Sequence, residues 1–509
     1  METSGSFFTS QEKAHIDVAG LQALIARKDE KINFLDQENT WLREQLAELK
    51  RNRFGKKSER WESEEQLLLN EAEVESKKPE PPEAPEIEVE AHTKKRGHRK
   101  PLPENLEREI VKIELPFAEQ VAADGSSLKV VGWEISEKLK YEPAKMSVVQ
   151  IHRAKYGVDS GDYVKTAPPV AAIIPKGLAT PELLAAIIVS KYTDGLPLYR
   201  MEDIFSRQGI ELPRQTMARW VIQVAEACQP ILNVLSEKLL SSFYVASDET
   251  KIQVLKENGR SAESKSWMWV RSTPFGVQRI VLFDYEVSRS QETAKNLFLD
   301  FKGYLQCDGL NAYDALESVD IIRVGCNMHA RRRFEAAMVV GAKSGKSLGE
   351  EGLKFYQQIY EIEENLRDKP PDERYLKRNE LALPIFEKMK AWVEENKGKV
   401  PRTSKIGEAF SYFENEYEYL IAYLKDGRLE ADNGFTERAI RKFAIGRNNW
   451  MFSDTEAGAA ASALLYSLTV TAKVNGVNPY RALVKMFTEL PLAKTVDDYE
   501  RIAAHILAP

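Results

Sequence analysis

The stretch "FYVASDETKIQVL", residues 243–255, decides the fold. It reads as a β-strand that carries an aspartate, Asp248. Successive strand residues point to opposite faces, so Ala246 and Asp248 share one face and Val245 and Ser247 the other. Of the adjacent acids Asp248 and Glu249, only one can then aim at a shared ligand, and the spacing selects Asp248. Working outward, "SWMWVRST" (266–273) and "QRIVLFDYE" (278–286) are two further strands, and "SQETAKNLFLDF" (290–301) is helical. A fourth strand, "GYLQCDG" (303–309), ends in Asp308. A fifth, "IIRVGCNMHA" (321–330), leads into the basic helix "RRRFEAAM" (331–338).

Three strands, a helix, a strand, a short helix and a strand reproduce the element order of a ribonuclease-H-like fold. That resemblance implies one catalytic acid on the first strand, a second just after the fourth and a third on a later helix. Asp248 and Asp308 occupy the first two places. Carboxylates converging there bind Mg²⁺ through oxygen, and paired ions activate the attacking oxygen and stabilise the leaving one at phosphorus. Imidazole or thiolate would not be the preferred ligands.

Residues 344–424 are helix-patterned, with Pro370-Pro371 and Pro401 as breaks, and form a helical insertion expected over about 340–424. Beyond it, "RLEADNGFTERAIRKFAIGRNNW" (428–450) sets Asp432 and Glu437 in a dense run of cations. Asn433 or Asp432 can begin a helix on which Glu437, Arg438 and Arg441 are neighbours. Glu437 can complete the metal site while the cations meet phosphate oxygens. His329 either touches phosphate or caps its helix, and Trp450 is assigned to the core in preference to base stacking.

The chain has 509 residues, 43% of them hydrophobic, and a net charge of −6, enough for several domains with real cores. Its three cysteines, Cys228, Cys307 and Cys326, include no C-x-x-C pair, which excludes a thiolate zinc knuckle and a disulfide framework. No signal peptide or membrane span is expected, and the chain reads as cytoplasmic. From Leu21 a 3-4 spacing runs through Ile25, Lys28, Ile32, Leu35, Asn39, Leu42 and Leu46, the pattern of a parallel two-stranded coiled coil. Residues 15–58 are therefore a dimerising coiled coil with a basic end. Residues 59–103 are an acidic, proline-interrupted linker ending in "KKRGHRKPLP", a cationic strand like an AT-hook. Residues 104–175 read as a small β-rich module, with "EREIVKIEL", "SLKVVGWEIS" and "MSVVQIHRAKYGV" as strands. Residues 176–236 read as helices turning at Gly209 in the manner of a helix-turn-helix. The catalytic domain spans 237–452, and 453–509 are helical. The fold class expected is multidomain α/β: a ribonuclease-H-like mixed sheet with a helical insertion, behind these N-terminal parts.

The motifs "RFGKKSER" (53–60), "GHRKPLP" (97–103), the helical stretch 179–220, "SDET" (247–250), "QCDG" (306–309), "HARRRF" (329–334), "DNGFTERAIRKFAIGRNNWMF" (432–452) and "TAKVNGVNP" (471–479) together resemble the transposases of the insertion-sequence-66 family, in the DDE group. The resemblance implies that Asp248, Asp308 and Glu437 are the catalytic and metal-binding acids and that Mg²⁺ or Mn²⁺ is the cofactor. It implies DNA as partner, both the element's terminal inverted repeats and a target, at the nucleoid. The protein would act as a homodimer or higher oligomer, with accessory proteins of the same element. Hydrolysis at the 3′ ends would be followed by attack of the freed 3′-OH on target DNA. The DNA-contacting cations expected are Arg96, Arg99, Lys100, Arg214, Arg331, Arg332, Arg438, Arg441, Lys442, Arg447 and Lys473. Members usually carry paired cysteines in a zinc module; here the corresponding "AADGSSL" (122–128) and "KYGVDSG" (155–161) have none, so no zinc is expected. The alternative is a DNA-binding repressor derived from a transposase, without catalysis.

Overall fold

A computed structural model describes residues 27, 28, 31, 146–157, 164–175, 177–318, 320–338 and 347–507. Apart from residues 27, 28 and 31, which are helical, the expected coiled coil lies outside them. The acidic linker, the AT-hook-like strand and most of the β-rich module also lie outside. The chain divides into two units, Ala72–Pro169 and a larger one containing Val170–Pro509. In the smaller unit, β1 (Lys155–Gly157) and β2 (Val164–Thr166) pair antiparallel. The long strand expected from Met146 is thus reduced to three residues. Residues 146–154 have no strand partner, and Val148, Val149 and Ile151 are exposed.

The larger unit opens with helices α1 (Pro181–Tyr192), α2 (Leu198–Ser206) and α3 (Arg214–Leu240). Gly209, at φ +79°, makes the turn between α2 and α3. The boundary expected after residue 236 falls inside α3, whose buried Val224, Cys228, Ile231 and Leu235 join the same core as the sheet.

The sheet follows: β3 (Tyr244–Lys256), β4 (Lys265–Ser272) and β5 (Val281–Glu286), helix α4 (Gln291–Leu297), β6 (Gly303–Cys307), a 3₁₀ turn (Tyr313–Leu316) and β7 (Ile321–Gly325). In space the order is β5-β4-β3-β6-β7, antiparallel from β3 through β5 and parallel from β3 through β7. The fold is therefore mixed α/β. Gly303 fixes where β6 meets β3: at φ +133°, a Cβ there would lie 2.3 Å from the Phe243 carbonyl oxygen. Any side chain would push the two strands apart.

Beyond β7 come α5 (Asn327–Ala336) and the insertion helices α6 (Leu348–Leu366), α7 (Pro371–Lys377), α8 (Leu383–Lys397) and α9 (Lys405–Leu420). They surround a second core in which Phe334 meets Tyr356, Trp392, Phe410 and Phe413. The breaks fall where the sequence places them, at Pro370-Pro371 and Pro401. The chain returns through α10 (Gly434–Trp450) and β8 (Ser453–Thr455), then ends in α11 (Glu456–Val474), α12 (Pro479–Glu489) and α13 (Val496–Ala503).

Helix α11 is long and apolar enough for a membrane span by length and composition alone. Packing explains the apolarity instead, because every residue from Ala461 to Ala472 is buried. The helix also covers the open edge of β5. The Phe283 N–H donates to Ser467 Oγ (2.8 Å) and the Val281 N–H to Thr471 Oγ1 (3.0 Å), and Thr471 donates back to the Val281 carbonyl (3.0 Å). An edge strand thereby satisfies groups that would otherwise recruit another chain.

Trp450, assigned to the core, packs edge-on to Tyr192, with Lys191 Nζ 3.7 Å above its ring. Burial lowers the Lys191 pKa from 10.5 to about 8. Because the folded pKa is the lower one, folding favours the neutral amine, and stability rises with pH between about 8 and 10.5. Lys191→Met should therefore be more stable than wild type at pH 7, by at most about 3 kcal/mol less the cation–π contribution, with the gap shrinking by pH 10. Urea unfolding at both pH values measures it; an unchanged gap would contradict the assignment.

Candidate active site

Strand register aligns the first two acids before any side chain is considered. Ala246 pairs with Gln306 in the parallel ladder, so two residues further on Asp308 stands level with Asp248. Cys307 pairs with Gly325 in the next ladder, which puts Cys326 level with Asp308. Neighbouring strands lie about 4.8 Å apart, so Asp248, Asp308 and Cys326 form one row, just past the ends of β6 and β7 and where β3 leaves its ladder with β6. Crevices at such ends are where open α/β sheets bind ligands.

Helix α10, which carries Glu437, is fixed to the sheet end by three pins. The Asn433 side chain donates to the Ser247 carbonyl (2.7 Å), and Thr436 Oγ1 lies 2.9 Å from Ser272 Oγ, both buried. The Asn433 N–H donates to Cys326 Sγ (3.3 Å). Asn327 holds the approach, its side chain donating to the Leu420 and Ala431 carbonyls at 3.0 Å each. Glu437 then sits in the first turn of α10. Its Oε2 accepts from Arg332, while its Oε1 faces His329 Nδ1 at 3.5 Å and Cys326 Sγ at 3.9 Å.

The electrostatics are those of crowded anions. Asp248 has its pKa pushed well up, first by burial and then by Glu249, Asp308 and Glu437. Its Oδ1 accepts the Glu249 N–H at 2.9 Å. Glu249 points with Ser247 toward the Tyr313 hydroxyl, 3.1 Å away, and Arg289 Nη1, 3.8 Å away. Burial and the Asp308 charge raise its pKa to about 7. Asp308 Oδ1 accepts the Leu310 N–H (3.0 Å), and Arg323 grips the Asp308 carbonyl (3.1 Å). A hard divalent cation would relieve the mutual repulsion of these carboxylates, but among the described residues Asp248, Asp308 and Glu437 are not a set whose ligand oxygens all lie within 4.8 Å of one another, so holding one ion would need their side chains to close in.

The expected DNA-contacting cations divide. On α10, Arg438 and Lys442 are exposed beside Glu437 and Arg441 is half-buried. Arg331 pairs with Glu335 (3.2 Å), whereas Arg332 is committed to Glu437. Arg447 donates to the Lys251 carbonyl and to Thr250 Oγ1 (3.3 Å), tying the far end of α10 to β3. Arg214 opens α3 and Lys473 closes α11, so these two belong to the helical layer, not to the acid cluster. Arg96, Arg99 and Lys100 lie outside the described residues. Sequence reading missed Cys326 and Arg323 as site residues and left the role of His329 open. The C-x-x-H spacing of Cys326 and His329 was the available signal for that pair.

The family described as "Transposase IS66 family" matches residues 176–461, and "Transposase C of IS166 homeodomain" matches residues 41–111. Relatives include three Sinorhizobium fredii proteins, themselves uncharacterised. Protein y4qI is 32% identical over 407 residues, covering 77% of this chain and 74% of its own length. Proteins y4hP and y4jD are 28% and 29% identical over 408 residues each. The chain belongs to the IS66 family of transposases. An enzymatic role acting on DNA is what this membership supports.

Proposed function

We propose that this transposase acts through Asp248, Asp308 and Glu437 as a DDE triad, on a ribonuclease-H-like sheet, cutting at the ends of its element and joining them to target DNA. One observation carries the reading: strand register levels Asp248 with Asp308, and the Asp248 carboxyl pKa is pushed up by burial and then by the charges of Glu249, Asp308 and Glu437. The strand order with its parallel and antiparallel halves supports the fold assignment. Mg²⁺ or Mn²⁺, when bound, would supply Lewis-acid stabilisation of the phosphorane-like charge and a more acidic attacking hydroxyl. The three carboxylates would hold it. Arg438 and Lys442, exposed on α10 one and five residues after Glu437, would meet phosphate oxygens, orienting the strand for in-line attack. Arg332 keeps Glu437 oriented, as its side chain already donates to Oε2.

The test uses the full chain with Mg²⁺ and DNA carrying the element's terminal repeats. Nicking at the 3′ ends followed by covalent joining to target is expected. Binding without nicking in either metal would overturn the catalytic reading and leave a DNA-binding repressor.

A further inference from the structure

Beside the carboxylate row lies a second donor set of different chemistry. Cys326 Sγ, His329 Nδ1 and one oxygen of Glu437 lie within 4.8 Å of one another. Cys326 caps α5 and His329 follows three residues later, so one helical turn presents both donors on the same face. The sulfur accepts the Asn433 N–H at 3.3 Å at the start of a ten-residue helix, but burial and the Glu437 charge push the thiol pKa up, so a bound cation would have to displace its proton. Among the described residues the buried His329 Nδ1 has no hydrogen-bond partner, with Glu437 Oε1 3.5 Å away, an arrangement that costs free energy unless something binds it. Arg332 occupies Oε2 of Glu437 and leaves Oε1 turned toward the pair.

Tetrahedral zinc, with bonds of about 2.0–2.3 Å, sets its ligands roughly 3.4–3.6 Å apart. The nitrogen–oxygen separation is 3.5 Å and the sulfur–oxygen separation 3.9 Å, so small side-chain rotations suffice. A thiolate, an imidazole and a carboxylate select Zn²⁺ over Mg²⁺, and three protein ligands leave a fourth position open.

We propose that Cys326, His329 and Glu437 form a site for a thiophilic divalent ion, Zn²⁺ foremost, separate from the all-oxygen site and sharing only Glu437 with it. Filling it draws Glu437 away from Asp248 and Asp308, so Zn²⁺ inhibits the Mg²⁺-dependent reaction; this regulatory part rests on the function proposed above. The sequence reading expected no zinc in this protein, and a Zn²⁺ site at the end of β7 goes against that expectation.

Cobalt(II) tests the site, because it takes zinc's ligands and a bound thiolate gives it an intense near-ultraviolet charge-transfer band. Added to the metal-free full chain, it should produce that band, saturating at one equivalent and displaced by Zn²⁺. Cys326→Ser should abolish the band. His329→Ala, the check should the serine variant misfold, should weaken cobalt binding by at least about tenfold, since even groups that only support a ligand reach that figure. Asp248→Asn, which keeps all three donors, should retain the band. Absence of the band in wild type, its survival in Cys326→Ser, or undiminished binding by His329→Ala would overturn the proposal. In the strand-cleavage assay, one equivalent of Zn²⁺ in excess Mg²⁺ should suppress wild-type cleavage; undiminished cleavage would overturn the regulatory part. If no cleavage occurs with Mg²⁺ alone, the transposition chemistry falls while the cobalt band still decides the metal site.

Discussion

Asp308→Asn is expected to remove metal-dependent strand cleavage, by at least about 10³-fold, because a metal contributes several kcal/mol and each 1.36 kcal/mol is tenfold in rate. The substitution keeps the size of the side chain and its Oδ1, so the bond from the Leu310 N–H survives and the strand ends stay in place. What it removes is one negative charge from a row where burial and three neighbouring carboxylates already push the Asp248 pKa far up. Affinity for DNA ends should be nearly unchanged or slightly improved, since phosphates meet less repulsion. Gel-shift and cleavage assays on the same preparation separate the two; cleavage retained in the variant would contradict the assignment of Asp308.

The largest effect on stability is expected at Arg323. Its side chain is 3% exposed, and it pairs with Asp314 (2.8 Å) and with Glu416 on insertion helix α9 (2.7 Å) while holding the Asp308 carbonyl. The guanidinium also stacks 4.2 Å from the Tyr419 ring. One side chain thus joins β7, the loop after β6 and the insertion. Arg323→Leu leaves Glu416 buried without a counter-charge, which costs about 3–5 kcal/mol. Arg323→Leu combined with Glu416→Gln should recover part of that loss, because the stranded charge is gone. Denaturant unfolding of the two variants reads the difference; a Leu variant as stable as wild type would show that the insertion is not anchored through this residue.

Part of the local geometry was readable from spacing. The two-residue period of β3 selected Asp248 over Glu249, and the structure turns Glu249 toward Tyr313 and Arg289. The prolines at 370–371 and 401 marked the insertion's breaks, and the turn at Gly209 required the left-handed backbone found there. These features are local: alternation, helix breaking and positive φ depend on a few consecutive residues. The pairing of Arg332 with Glu437 was not readable, because the two residues lie 105 positions apart and both belong to runs in which each cation looks alike.

By itself, the sequence determined the kinds of element, their order and the acids they carry, because strand and helix periods are written in consecutive side chains. Only the tertiary structure decided which acids share a row, that Arg332 serves Glu437, and that Cys326 and His329 stand beside it. Those facts depend on ladder register, which pairs residues 60 positions apart at Ala246 and Gln306, and on the hydrogen bonds that pin α10, which join residues 107 and 186 apart, beyond the reach of any local pattern.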